Sequence, residues 1–317
     1  MKARLSTLLC LFLSVFVVVT GLKEFSAWPQ VQDLWSPDIP LYDLIGHPHF
    51  FRLLVVSPGL IIEDWLPGYG FSLYCAFFCV VNAVLWSGIS VKCKKRGPSL
   101  LAWGLFILAH AAMNGRGVIV WTAWLSCVSL CLDMSVAYKP VRWLKVRMLA
   151  SLFFATVSTG VFVVVFCAIV FFFSSRLRSQ GVRLKIFGVL AFFVLAPVFY
   201  MGVDYFLTAI EKNVAFYGGG LTGAVNMLRH GVGRVFFADG GVGVMLATMA
   251  FPLAVLLLVL WVKGFFRDPM MKLLFMALLG GLFGFTVLTM VIPLLLCALP
   301  RFRVTPVRRC SAPAAVT

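Results

Sequence analysis

The residue best suited to chemistry in this sequence is Arg116, which lies in the stretch Ala109-His110-Ala111-Ala112-Met113-Asn114-Gly115-Arg116-Gly117. Two apolar runs without a charge flank it, residues 100–108 and 118–132. A guanidinium at the turn of a membrane hairpin is costly, since an arginine at the centre of a span costs roughly 2.5–3.5 kcal/mol even on the lenient insertion scale, so its presence indicates a function. For a guanidinium, that function is the binding of an anion such as phosphate.

The neighbours of Arg116 fit an anion site. Gly115 and Gly117 lack side chains, so a ligand can approach the backbone closely, and Asn114 adds hydrogen-bonding groups. His110 lies about a turn and a half earlier if the helix continues. The alternative for Arg116 is an arginine that reaches lipid phosphate, and the alternative for His110 is a hydrogen-bonded packing residue.

Other polar groups lie in the segments that we place outside the membrane, and each has a plain alternative. Arg229-His230-Gly231-Val232-Gly233-Arg234 is a second cationic cluster, or else a solvated loop. Tyr217-Gly218-Gly219-Gly220 resembles a phosphate-cradling loop but lacks the lysine and threonine of a Walker motif. His47-Pro48-His49 has no carboxylate at ligand spacing, so we predict no metal site. Five carboxylates are candidate general bases or sugar-binding groups, or else surface acids: Glu63, Asp64, Asp204, Glu211 and Asp239.

Composition predicts the class of protein. Of the 317 residues, 62% are hydrophobic and only 12% are charged, with a mean hydropathy of +1.02, whereas a soluble domain is about half apolar and about a quarter charged. We therefore predict a polytopic helical membrane protein, and the long apolar runs without alternation exclude an outer-membrane barrel. The net charge of +16 does not indicate nucleic acid, because the basic residues cluster in short loops between apolar runs.

These runs predict an all-α bundle with about 8–10 membrane crossings, short or re-entrant segments included. Residues 1–300 form one transmembrane domain with outer segments at about 23–69 and 207–241, and residues 301–317 form a basic, disordered, cytoplasmic tail. Nine of the 11 acids fall on the outer side, but only six of the 27 basic residues do. Those six are Lys23, Arg52, Arg116, Lys212, Arg229 and Arg234. We expect any chemistry on the outer face.

Two short segments carry specific predictions. The apolar run 53–62 is too short to cross a membrane, and we expect Ser57-Pro58-Gly59 to break it, so it fits an interfacial or re-entrant piece. The run 148–174 has basic residues on both flanks. A hairpin broken near Ser158-Thr159-Gly160 keeps both ends inside, whereas a single crossing leaves four basic residues outside.

The turn His110…Asn114-Gly115-Arg116-Gly117 resembles that of the bacterial O-antigen and exopolysaccharide polymerases, the Wzy/EpsG-like membrane glycosyltransferases. The segment from Tyr217-Gly218-Gly219-Gly220 to Met227-Leu228-Arg229-His230-Gly231 is similar to theirs, as is an outer segment rich in aromatic residues and prolines that ends in Arg52. The resemblance covers roughly half of the chain. The chain is shorter than many members, and the tail after Pro300 matches no feature of the family.

The resemblance implies a GT-C-like fold in the bacterial inner membrane, with the active site facing the periplasm. It implies an enzyme that transfers a growing glycan from undecaprenyl diphosphate onto the non-reducing end of an undecaprenyl-diphosphate-linked repeat unit. No cofactor or nucleotide is needed, because the activated bond lies in the donor. Membrane lipid and a polysaccharide chain-length regulator are the other partners implied, and nucleic acid is not among them.

In such a reaction the diphosphate leaving group gains charge as the glycosidic bond breaks, and fixed arginines stabilise that charge most in the transition state. We predict Arg116 as the central clamp, with Arg52 and either Arg229 or Arg234 as partners. The candidate bases for the acceptor hydroxyl are His230, Asp64, Glu211 and Asp204. The remaining predicted substrate-binding residues are His110, Asn114 and Tyr217.

Three other functions stay open at this point. A flippase or other transporter of lipid-linked oligosaccharides predicts charges deep in several spans and repeat-related halves, whereas these charges lie near the outer ends and no internal repeat is visible. An O-antigen ligase uses the same donor with lipid A core as acceptor. A non-enzymatic assembly partner tolerates the loss of Arg116.

Overall fold

The computed structural model describes residues 24–36, 39–47, 49–94, 100–135, 141–178, 207–208, 211–212, 214–233, 268–280, 291 and 294. Within these ranges all regular structure is helical and no strand occurs, which confirms the predicted all-α class. The helices are α1 Pro29–Gln32, α2 Leu41–Gly46, α3 Phe50–Trp65, α4 Gly70–Lys94, α5 Leu100–Ala112, α6 Gly115–Ser135, α7 Leu144–Ala155, α8 Thr159–Arg178, α9 Gly220–Gly233 and α10 Pro269–Gly280.

Helices α4 and α6 run side by side in the same direction and form the centre of the fold. At one end Gly115 lies against Phe71, and at the other end Lys92 forms an ion pair with Asp133 at 2.7 Å. We call these the Arg116 end and the Asp133 end. Most side chains of α6 are buried, because α4, α7, α8 and α10 pack around it. A helix that is apolar on every side is expected in such a central position.

Helices α5 and α6 form the hairpin that the sequence predicts, with the turn at Met113 and Asn114. Aromatic side chains pack α5 against its neighbours. Phe106 stacks on Trp86 of α4 with the ring centroids 4.4 Å apart, and its ring lies 5.3 Å from that of Trp121 of α6. Aromatic pairs in these arrangements add to the free energy gained from burial of their apolar surface.

Helix α3 shows that the predicted break at Ser57-Pro58-Gly59 was wrong, because the 16-residue helix continues through Pro58. Proline has no N–H, so the carbonyl of Leu54, one turn earlier, loses its helical donor. The hydroxyl of Ser57 donates to that carbonyl instead, at 3.1 Å. A side-chain donor thus replaces the missing backbone bond and the helix remains continuous.

Helices α7 and α8 form a hairpin, and the break between them at 156–158 confirms the one predicted in this region. The hydroxyl of Ser151 in α7 lies 2.9 Å from that of Ser126, and the thiol of Cys127 donates to the carbonyl of Val165 in α8 at 3.9 Å. Because both limbs contact the same turn of α6, the chain must reverse between them. Helix α8 therefore runs back toward the Asp133 end of the fold, near which α7 begins.

An ion network ties three helices together at the Asp133 end. The two carboxylate oxygens of Asp133 accept from Lys92 of α4 and from Arg147 of α7, each at 2.7 Å. Oxygen atoms of Ser129 accept further hydrogen bonds from both cations. The Asp133 end thus gathers Lys92, Asp133 and Arg147, which the basic-loop pattern assigns to the inner side of the membrane.

Two of the described helices are long and apolar enough to cross a membrane, Gly70–Cys93 and Gly115–Ser135. At 1.5 Å per residue they span roughly 31–36 Å, which matches a hydrocarbon core of about 30 Å. Shorter apolar helices are present at Leu101–His110 and Gly160–Arg176. The predicted first span, the predicted spans between 186 and 262, and the tail 301–317 lie outside the described residues.

Candidate functional site

Arg116 is the second residue of α6 and is partly buried. Asn114 caps this helix, because its Oδ1 accepts a hydrogen bond from the backbone N–H of Gly117 at 2.8 Å. The Arg116 guanidinium lies over the Trp28 ring, with Cζ 5.9 Å from the ring centroid. Arg116 therefore lies at the positive end of the α6 dipole, where helix and side chain would together stabilise an anion.

Gly115 has a packing role that the sequence did not indicate. A Cβ at this position would lie 2.8 Å from Cε1 of Phe71 and 3.0 Å from Sγ of Cys75. Side chains of α4 therefore fill the space beside this glycine. The expectation that a ligand approaches the backbone at Gly115 was wrong, because that space belongs to the close contact between α4 and α6.

Arg52 lies in α3, and only 5% of its surface is exposed. Its Nε donates to the carbonyl of Thr156, in the turn between α7 and α8, at 3.3 Å. A buried cation needs such partners, and the carbonyl groups at a helix C-terminus carry partial negative charge. The sequence did not predict this contact, because 104 positions separate the two residues.

Arg52 and Arg116, which we call the arginine pair, lie close enough for their charges to repel one another. Both residues are predicted site residues, and they belong to separate helices, α3 and α6. Among the described residues, no carboxylate forms an ion pair with Arg116. Two partly desolvated guanidinium groups whose charges act on one another create a positive potential.

Tyr217 immediately precedes the three glycines at 218–220, whose φ values are +113°, +72° and +53°. Residues that carry a side chain rarely adopt such φ angles, so the glycines allow the chain to turn into α9. An added Cβ at Gly223 would lie 2.1 Å from the carbonyl oxygen of Val214, which makes this turn tight. The glycine run thus has a structural cause that is independent of any phosphate loop.

The second cationic cluster is described only in part. Arg229 and His230 lie on α9, so this segment is helical and not a loop. The side chains of these two residues lie outside the described part of the structure, as do Asp204 and Arg234 entirely. Their predicted roles in binding and catalysis stay predictions.

Two candidate carboxylates at the end of α3 already have structural partners. Oδ2 of Asp64 accepts from the indole N–H of Trp35 at 3.1 Å. Glu63 accepts from the backbone N–H groups of Gly68 and Phe71 at 2.6 Å and 2.7 Å, and so caps the start of α4. Twelve residues after Arg52 on the same helix, Asp64 lies about 18 Å farther along the axis. Asp64 is therefore distant from Arg52, but the end of α3 that carries it meets the start of α4, at the Arg116 end of the fold.

Lys212 links the two predicted outer segments. The pKa of His47 is lowered by burial of the imidazole and, to a lesser degree, by the positive charge of Lys212. Glu211, the neighbour of Lys212, is exposed. The rings of His47 and His49 have centroids 5.2 Å apart. Within the described ranges, no three His, Cys, Asp or Glu side chains form a group that could hold a metal ion.

His110 belongs to a buried polar network that sequence reasoning missed. Nδ2 of the fully buried Asn82 donates to Nε2 of His110 at 3.2 Å and to the carbonyl of Val118 at 2.9 Å. Oδ1 of Asn82 accepts from the Thr122 hydroxyl at 2.7 Å, and Nδ1 of His110 donates to the Phe106 carbonyl at 3.0 Å. Both ring nitrogens are thus satisfied, which favours the packing interpretation of His110. The signal that could have revealed this network is Asn82, an amide side chain within the apolar run of α4.

Comparison of the chain with protein-family models, with curated proteins and with solved structures finds no match. A function for this chain must therefore be argued from the arginine pair and its surroundings.

Proposed function

We propose that the protein is a multi-pass membrane glycosyltransferase that polymerises glycans carried on undecaprenyl diphosphate, as an O-antigen polymerase does. The arginine pair carries this proposal: Arg52 is buried in α3, Arg116 lies at the N-terminus of α6 over the Trp28 ring, and the charge of one acts on the other. A diphosphate suits the pair, because each guanidinium can bind phosphoryl oxygens through two parallel hydrogen bonds.

The chemistry follows from where charge develops. The acceptor hydroxyl oxygen bonds to the anomeric carbon as the bond from that carbon to the diphosphate oxygen breaks, so negative charge grows on the leaving group next to the pair and the α6 N-terminus. These positive groups stabilise the transition state more than the ground state, which raises kcat. The acceptor hydroxyl gives its proton to a base, for which Glu211 and His230 remain candidates. Asp64 remains a third candidate, because the end of α3 that carries it lies at the Arg116 end of the fold.

The surface of the fold supports a position in a bilayer. Trp65 and Tyr69 are exposed near the Arg116 end, and Trp143 is exposed near the Asp133 end. Tryptophan and tyrosine prefer the two membrane–water interfaces. Between these ends, leucines on the outer face of α5 are exposed: Leu101, Leu105 and Leu108. The proposal therefore has α4 and α6 crossing the bacterial inner membrane with the Arg116 end in the periplasm, within a GT-C-like bundle of about 8–10 crossings.

The test is Arg116→Lys in the producing bacterium, with lipopolysaccharide separated on a gel. Lysine keeps the charge but lacks the planar fork that binds phosphate, so we expect a core bearing one repeat unit at a normal protein level. Arg142→Lys is the matched control, because Arg142 is exposed near the Asp133 end, and it should give the full ladder. A full ladder from Arg116→Lys would remove Arg116 from the mechanism.

Deletion of the gene separates the alternatives on the same gel. Loss of a polymerase leaves one repeat unit on the core. Loss of a ligase leaves bare core while lipid-linked polymer accumulates. Loss of a flippase leaves bare core without polymer, because the repeat units do not reach the periplasm.

A further inference from the structure

The turn at 156–158 contacts Arg52 at the end of a helix that starts near the Asp133 end of the fold. Helix α7 starts near the Asp133 network, has 12 residues, and ends beside Arg52 of α3. At 1.5 Å per residue it is about 18 Å long, roughly half the thickness of a hydrocarbon core. Helices that end inside a membrane bundle present carbonyl groups without helical partners, and such ends coordinate cations.

Thr156 joins this turn to α3 through two groups. Its carbonyl accepts from Nε of Arg52 at 3.3 Å, and its hydroxyl lies 3.4 Å from the carbonyl of Phe51. The same hydroxyl donates to the Phe153 carbonyl at 2.6 Å, and the backbone N–H donates to the carbonyls of Leu152 and Phe153. Thr156 is thus fixed to the end of α7 while it contacts two consecutive residues of α3.

The bond to Nε restricts how the guanidinium is turned. Nε, Cζ and both Nη atoms are coplanar, so an acceptor at Nε restricts rotation of the whole group. Arg52 is buried, and the carbonyl also offsets part of the free-energy cost of desolvating its charge. Thr156 therefore acts on both the orientation of Arg52 and its stability in the apolar interior.

We propose that Thr156 is a positioning residue, which holds the Arg52 side chain in the orientation in which the arginine pair binds the diphosphate of a polyprenyl lipid. This inference rests on the proposed function and extends it to the hairpin α7–α8. In the proposed topology the hairpin enters from the cytoplasmic side, so a half-length element from one side of the membrane completes a binding site that opens on the other.

The test measures the affinity of the purified full-length protein in detergent for farnesyl diphosphate. Thr156→Val keeps the shape of the side chain and the backbone carbonyl, but removes the hydroxyl that ties this turn to Phe153 and Phe51, so the carbonyl is held less firmly against Arg52. We expect about a five- to tenfold loss of affinity, the equivalent of one hydrogen bond. Thr156→Ser keeps the hydroxyl and should bind within about twofold of wild type. Ser174→Ala is the matched control, because Ser174 donates to the Phe171 carbonyl at 3.0 Å far along α8.

A double-variant cycle with Arg52→Lys distinguishes positioning from a general loss of stability. Lysine lacks the Nε–H group that Thr156 holds, so Thr156→Val should add less than about a twofold loss to that caused by Arg52→Lys. The unfolding temperature without ligand is recorded in parallel, because a purely structural threonine changes this temperature and not the affinity of the folded protein. If Thr156→Val does not fold, Thr156→Ala takes its place in the cycle.

The outcomes separate this inference from the function on which it rests. Unchanged affinity in Thr156→Val, or losses that multiply in the double variant, would overturn the positioning role and leave the diphosphate site intact. If the wild-type protein binds farnesyl diphosphate no better than farnesol, the proposed function itself is overturned.

Discussion

The hydrogen bonds of Asn82 join α4 to the hairpin α5–α6, which carries Arg116. Loss of the Asn82 side chain should therefore lower the free energy of unfolding. Asn82→Leu deletes three hydrogen bonds, those to His110, Val118 and Thr122. Hydrogen bonds between membrane helices contribute about 0.6 kcal/mol on average and at most about 1.7 kcal/mol. A buried polar group left without a partner costs about 1–3 kcal/mol. We therefore expect Asn82→Leu to lower the free energy of unfolding by about 2–4 kcal/mol.

The loss should be recovered when the partners also become apolar. Asn82→Leu combined with His110→Phe and Thr122→Val leaves no unsatisfied side-chain group, so its unfolding free energy should lie within about 1 kcal/mol of wild type. The assay is reversible unfolding of purified protein in mixed micelles of detergent and SDS. A triple variant no more stable than Asn82→Leu alone would refute the reasoning, because the cost would then lie in packing and not in unpaired polar groups.

The triple variant also decides the role of His110. If His110 packs and does not bind substrate, the stable triple variant restores the full-length polysaccharide ladder in cells. If the triple variant is stable but gives the one-repeat pattern, His110 acts on substrate, as the sequence analysis predicted.

Two further variants test the ends of the central helices in the same micelle assay. Asp133→Asn leaves Lys92 and Arg147 to repel one another, and because these side chains are 29–36% exposed, screening should limit the loss of unfolding free energy to about 1–2 kcal/mol. Unchanged stability would show that the network contributes nothing measurable. Gly115→Ala places a methyl group 2.8 Å from an α4 ring and should cost about 1–3 kcal/mol. Gly117→Ala is its control, since the nearest atom there is 3.3 Å away and an equal loss would contradict the packing argument.

Local patterns predicted part of the fold correctly. The apolar runs around Arg116 predicted the hairpin α5–α6, and the weak segment near Ser158 predicted the break between α7 and α8. Both are properties of neighbouring residues, which hydropathy and turn composition describe well. Pro58 was misread because its effect depends on one rotamer of Ser57, which supplies the missing donor.

By itself, the sequence determined that this chain is helical and apolar, with basic residues gathered in short loops and Arg116 at a turn. Only the tertiary structure decided that Thr156 contacts Arg52 and that Asn82 satisfies His110. The reason is physical. Composition and spacing set which segments leave water, but side-chain shape and hydrogen-bond geometry decide which of these segments touch, and those contacts join residues far apart in the chain.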